Sequence, residues 1–234
     1  KGMVLEPLAS SEAILTQKEK ERGAAIVDIG GGTTDIVSFK KGAIDYTSVI
    51  PVGGFQFTND ICITYNTSFY DAEQIKLKYA NTEPASIDMR EEFTLPVINS
   101  KSLTTVYRRD LCQLMRERTL ELIRLIDLKL QQAGVRQDAS AQIVMTGGAS
   151  TMPGFFDMAQ QFIPNCSIRM GAPDHLAGMS EELEAPAYST GVGILLYGFR
   201  QEISAEKTAL SQVRGTGNNG DGGLLDRIKR IFNF

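Results

Sequence analysis

Residues 27–36 read VDIGGGTTDI: three consecutive glycines and two threonines held between two aspartates, with apolar residues on either side. Glycine lets a backbone approach a ligand without a Cβ in the way, and in such a bend amides and hydroxyls converge on an anion. A hairpin turn is the plainer reading, but it needs one or two glycines, not three followed by paired threonines. The chemistry indicated is phosphate binding. No Lys-Ser/Thr pair follows the glycines, so this is not a Walker loop, and it does not lead straight into a helix as a dinucleotide fingerprint would. A second stretch, AQIVMTGGAS at 141–150, repeats the logic: a short apolar strand runs into paired glycines.

The elements that must position these loops follow from the pattern. Residues 24–30, 34–40 and 43–52 read as successive strands, the first almost continuously apolar as a central strand should be. Lys41-Gly42 marks a tight turn between the second and third. Helices follow, FTNDICITY with Thr58 or Asn59 as N-cap and SFYDAEQIKLKYA with Ser68 and Asp71 at capping-box spacing. EFTLPVI is an edge strand, since Pro96 cannot donate to a ladder. From about Arg109 to Gln132, Leu111, Leu114, Met115, Leu122, Leu125 and Ile126 recur at helical spacing, and Gly134 stands where a C-cap would. Pro153 is placed to open the next helix, and SIRMGAP is a further strand. Residues 185–199 form a helix whose Gly191 and Gly193 permit close packing.

Length and composition bound the function. The 234 residues make one large domain or two small ones, 42% hydrophobic and 22% charged, as in an ordinary globular protein. A net charge of −4 and a pI near 5.2 argue against general nucleic-acid binding. Cys62, Cys112 and Cys166 are odd in number and far apart, which fits a reducing compartment rather than a disulfide framework. A single histidine, His175, and no CxxC disfavour a zinc site. The first residue is not Met and the chain enters at once on apolar residues, so a piece of a longer protein is expected.

The last residues suggest a different chemistry. SQVRGTGNNGDGG holds five glycines and reads, within 201–223, as a flexible linker. LLDRIKRIFNF follows. On a helical wheel Leu224, Leu225, Ile228, Ile231 and Phe232 share one arc, with Phe234 at its margin. Lys229 and Arg230 lie opposite and Arg227 near the boundary, giving three basic residues against Asp226. That is the profile of a helix lying in an anionic membrane interface. One such helix binds reversibly, so firm attachment needs several copies on one assembly.

Strand–glycine loop–strand, then a charged helix, then strand–GG before a small-residue helix: this order resembles the second half of the actin-like ATPase superfamily, which includes actin, MreB, sugar kinases and heat-shock chaperone ATPases. VLEPLASSEAIL, DIGGGTTDI, IPVGGFQFTNDI, AEQIKLKYA and VMTGGASTMPGF, with the amphipathic end, are similar to the FtsA family of bacterial cell division. The resemblance covers essentially the whole chain. It implies an α/β, ribonuclease H-like fold: a core from 1–57 and 141–200, a smaller subdomain inserted at 58–140, the linker at 201–223 and the membrane helix at 224–234.

By that resemblance Asp28 holds Mg²⁺ through water, while the amides of Gly30, Gly31 and Gly32 and the hydroxyls of Thr33 and Thr34 surround the β/γ-phosphates of ATP. Glu73 and Lys76 contact ribose and adenine, and Gly147, Gly148 and Ala149 form the adenosine motif. Arg118 and Glu121 match the Arg-x-x-Glu that the family presents to the C-terminal tail of the tubulin-like protein FtsZ; the plainer alternative is an exposed intrahelical ion pair worth about 0.3 kcal/mol. The expected role is an ATP-binding, polymerising tether at the cytoplasmic face of the membrane at the septum. Its partners would be FtsZ, other copies of itself, anionic lipid and further division proteins. The family's first phosphate loop has no counterpart in this chain, so weak or no ATP binding is expected of the piece, binding of the complete parent, and no enzyme activity of the piece itself. The alternatives are a pilus or secretion adaptor, an MreB-like filament or a sugar kinase on the same core; the amphipathic end disfavours them.

Overall fold

In the computed structural model residues 3–100, 102–138 and 141–214 are described. β1 (Ala24–Ile29) is buried along its whole length. It lies at the centre of a five-stranded sheet ordered β3-β2-β1-β6-β7, with β2 Thr34–Lys40, β3 Ala43–Ile50, β6 Gln142–Thr146 and β7 Ser167–Met170. β1, β2 and β3 are antiparallel neighbours, whereas β6 and β7 run parallel to β1. The register sets Asp28 opposite Asp35 on one side and Thr146 on the other. Both glycine loops therefore leave the sheet at the same edge, beyond the carboxyl ends of parallel strands, where ligands bind in open α/β sheets.

Alternation along β1 splits the core. Ala25, Val27 and Ile29 pack with α5 (Arg108–Gln132) and α6 (Phe155–Phe162) on one face. Ala24 and Ile26 pack on the other with α1 (Glu6–Ile14) and α7 (Ser189–Arg214). The first cluster also takes in α3 (Gly54–Tyr65), α4 (Phe69–Tyr79) and the hairpin β4 (Glu92–Pro96)–β5 (Leu103–Tyr107). The segment expected as an inserted subdomain thus shares one continuous apolar core with the sheet, and the expected boundary at residue 58 falls inside α3. Among the described residues no helix is long and apolar enough to cross a membrane.

Several element boundaries differ from expectation. α3 begins at Gly54, four residues before the anticipated cap, with Gly53 as N-cap and its amide donating to Gln56 Oε1 at 2.8 Å. A Cβ on Gly53 would lie 2.7 Å from the Gly30 carbonyl oxygen, so close approach rather than a capping hydroxyl selected the residue. Pro153 lies outside α6, whose cap is Gly154 at φ +81°. Residues 201–214 continue α7 instead of starting the linker. They contain no glycine or proline and are rich in helix formers, so backbone propensity favours helix over coil there. The remainder of the linker, 215–223, and the whole terminal segment 224–234 lie outside the described residues. Among the α-helices and strands, three went unassigned: β5, α1, and α2 (Gln17–Arg22), the last announced by a Thr16/Glu19 capping box. Ser68 caps α4 as expected, and Lys41-Gly42 turns with both residues at positive φ.

Gly193 is where α7 meets α1. An added Cβ would sit 1.8 Å from the Ala9 carbonyl oxygen, whereas one on Gly191 would meet nothing within 4 Å. Gly193→Ala should therefore cost about 3 kcal/mol by forcing the helices apart, while Gly191→Ala should stabilise by about 0.5–1 kcal/mol through helix propensity. Denaturant unfolding of the two variants checks the opposite signs.

Candidate functional site

The glycine loop is held by the helix that follows β3. The amide of Gly54 donates to the Gly30 carbonyl at 2.9 Å, and that of Phe55 donates to the Gly31 carbonyl at 2.7 Å. These are N-terminal amides of α3, which carry no intrahelical partner and sit at the positive end of the helix dipole. A trans peptide points its C=O and N–H in opposite directions. Anchoring the two carbonyls on α3 therefore turns the amides of Gly31 and Gly32 away from it, and among the described residues these amides have no acceptor. A Cβ on Gly32 would meet nothing within 4 Å, so packing within the protein does not require glycine there.

Beside the loop lies a cavity of about 440 Å³. Six of the expected residues line it: Gly30, Gly31, Glu73, Lys76, Gly148 and Ala149. Lys76 Nζ donates to the Gly54 carbonyl at 3.0 Å and pairs with Glu73 Oε2 at 2.8 Å. Sequence reasoning missed Gly54, Phe55, Leu77, Met152 and Ala187 on the same wall. The GG pair at 53–54 was the available signal for the first two. Nothing in the pattern marks Ala187, which packs 3.6 Å from where a Gly148 Cβ would stand.

Five expected residues lie off the wall. Thr34 is buried in β2 and its hydroxyl donates to the Val52 carbonyl at 2.8 Å, so it braces the loop and cannot reach a phosphate. Thr33 Oγ1 donates to Asp35 Oδ2 at 2.9 Å. Gly32 is exposed at the tip of the loop. Gly147, at φ +88°, is needed because a Cβ would lie 2.4 Å from the Ile29 carbonyl oxygen and 2.5 Å from Asp28 Oδ1. Asp28 itself is buried, and its Oδ2 accepts from Ser10 of α1 at 2.5 Å and from Thr190 of α7 at 3.3 Å. Burial pushes the Asp28 carboxyl up, against the lowering effect of those two hydroxyls. Glu6 is also raised, by its own burial and then by the nearby charges of Asp28 and Asp35. Among the described residues no group of His, Cys, Asp or Glu is close enough to hold a metal directly.

On the far side of α3, Arg118 of α5 forks onto Asp60, Nε to Oδ2 at 2.6 Å and Nη2 to Oδ1 at 2.7 Å, and also bonds Glu121. Its hydrogen bond to Asp60 is the main reason its pKa rises. The expected Arg118–Glu121 pair is present, but the principal partner of Arg118 is an acid on another helix, and Glu121 is the more exposed member. Asp60 was not foreseen, because nothing in a linear sequence sets α3 beside α5. Leu224, Leu225, Arg227, Ile228, Lys229, Arg230, Ile231, Phe232 and Phe234, the expected membrane contacts, lie outside the described residues.

Comparison with known proteins bears on the family and the fold. The family model described as "Cell division protein FtsA" matches residues 25–193. The cell division protein FtsA of Pseudomonas aeruginosa is 36% identical over 228 residues, which cover 97% of this chain and 54% of that protein. The chain spans about half the length of the curated relatives it matches. Among solved structures, MreB5 of Spiroplasma citri bound to ADP aligns with a TM-score of 0.63 at 16% identity, covering 87% of this chain and 61% of that one. The PilM-PilN type IV pilus biogenesis complex gives 0.60 at 18%, covering 84% and 52%. These two likenesses show the fold, an actin-like ATPase fold. A family match across most of the chain, with that identity over nearly all of it, establishes that the chain belongs to the FtsA family.

Proposed function

We propose that this chain forms the adenosine-binding side of an ATP-dependent membrane tether, which polymerises at the cytoplasmic face of the membrane at the division septum and anchors FtsZ there. The observation that carries the reading is the cavity where Gly30, Gly31, Glu73, Lys76, Gly148 and Ala149 converge. Free loop amides suit phosphate oxygens, and the Glu73–Lys76 pair supplies an acceptor and a cation at the other end. That MreB5 was solved with ADP accords with this use of the fold. Asp28, with Asp35 and Glu6 beside it, would hold Mg²⁺ through water, and the ion would offset phosphate charge. ATP acts here as a structural ligand, its phosphates in the loop and its sugar at α4, with the second half of the site supplied by the longer parent. The exposed Glu121 and the Asp60-braced Arg118 offer a tail peptide a fixed acid and base, and 224–234 offers lipid an apolar, cationic face.

The nucleotide reading is tested in the full-length parent by calorimetric titration with Mg-ATP. Gly32→Val should leave the melting temperature within about a degree and weaken ATP at least about tenfold, because only a ligand occupies the space beyond Gly32. Equal affinity would remove the loop from the site.

Asp28 gives a second expectation. Its folded-state pKa is raised, so the folded chain holds the proton more tightly than the unfolded one. The resulting stability is fully present below the ordinary Asp range, about pH 4, and is lost as pH rises through the raised value. Asp28→Asn should therefore unfold at higher denaturant than the parent at pH 7, with the gap closing as pH falls toward 4, while Mg-ATP binding weakens. Chemical unfolding at pH 4, 5.5 and 7 measures this.

The tether is tested by liposome co-sedimentation of the intact chain and of a chain ending at Gly223. The intact form should pellet with anionic vesicles several times more than with neutral ones, and the shortened form with neither. Identical behaviour of the two would refute lipid binding by 224–234.

A further inference from the structure

Thr58 lies on the second turn of α3 and is fully buried. Its Oγ1 donates to Glu73 and accepts from Lys76 Nζ at 2.9 Å. The Gly54 carbonyl is also within reach, at 3.1 Å. A hydroxyl has one proton, and the shorter contact to a carboxylate takes it. Lys76 has three N–H donors, and the structure provides three acceptors: the Gly54 carbonyl, Thr58 Oγ1 and Glu73 Oε2. The lysine is saturated. Glu73 is not: Thr58 and Lys76 both bind Oε2, and among the described residues Oε1 has no donor. Glu73 lines the cavity, so its one carboxylate oxygen without a protein donor belongs to a ligand-facing residue.

Without Thr58, Glu73 would keep only the Lys76 contact and could rotate about its three side-chain torsions. With it, the carboxylate is pinned through one oxygen and offers the other as a bare acceptor. We propose that Thr58 is a positioning residue that sets sugar specificity: it holds Glu73 so that Oε1 accepts a hydrogen bond from a ribose hydroxyl, and the site thereby selects ribonucleotides over deoxyribonucleotides. The proposal rests on the nucleotide reading of the cavity. A site built to bond a hydroxyl discriminates against an analogue lacking it, because the acceptor is then covered by ligand and left without a donor. Thr58 touches no ligand itself and acts through Glu73.

The test uses the full-length parent and three ligands: ATP, 2′-deoxyATP and 3′-deoxyATP, each with Mg²⁺, titrated calorimetrically against wild type, Thr58→Val and Thr58→Ser. Wild type should prefer ATP over at least one deoxy analogue by about tenfold, a single hydrogen bond's ordinary worth. Thr58→Val, close in volume, should weaken ATP about five- to tenfold and that analogue less than twofold, so the preference collapses. Thr58→Ser should restore it. A purely structural Thr58 would weaken all three ligands in parallel; that result, or an undiminished preference in Thr58→Val, overturns the proposal. Should Thr58→Val fail to fold, Thr58→Ala carries the same comparison. Absence of ATP binding to the wild-type parent would instead overturn the nucleotide reading itself, a distinct outcome.

Discussion

Two hydrogen bonds, from the first amides of α3 to the carbonyls of Gly30 and Gly31, set the geometry on which the site depends. Left alone, a triple-glycine loop would sample many conformations and hold no anion firmly, since glycine loses more freedom on ordering than any other residue. The helix terminus removes that freedom from one side and leaves the opposite side of the peptides bare. Gly53 is the cost of admission for this contact: any side chain there would strike the loop backbone. The same helix carries Thr58 toward the cavity and Asp60 toward α5, so three functional placements follow from one element.

Asp28 shows the opposite balance. Its carboxylate is buried at the end of the central strand, between hydroxyls from α1 and α7, in surroundings that disfavour its charge. A neutral side chain of the same shape would suit the core better. Glu6, at the start of α1, lies near enough to be raised by the charges of Asp28 and Asp35 as well as, first, by its own burial.

Much of this was legible in the chain. The meander, the long α5 and the second glycine strand are local patterns, and the period of their apolar residues carries them. Four of the six expected nucleotide residues that line the cavity, Gly30, Gly31, Gly148 and Ala149, meet there because both loops end parallel neighbours, a relation the repeated strand–glycine pattern already hints at. Thr34 was misjudged because a hydroxyl's direction depends on strand parity: its neighbour Thr33 faces Asp35 while Thr34 turns inward to Val52. The start of α3 was missed because a capping side chain at Thr58 or Asn59 was sought, whereas the cap, Gly53, was selected for a contact with a segment over twenty positions away. Asp60 and Thr58 owe their roles wholly to tertiary neighbours. The continuation of α7 to Arg214 was lost by weighing hydrophobic periodicity above backbone propensity, which a run without glycine or proline favours.

At Gly193 the backbones of α7 and α1 come together with no cushion of side chains between them. Packed interiors yield little to compression, so a shear along α7 has no soft layer in which to dissipate. Thr190 and Ser10, one from each helix, bond each other as well as Asp28. Tension applied along α7 would be carried through Thr190 and Ser10 straight to the Asp28 carboxylate.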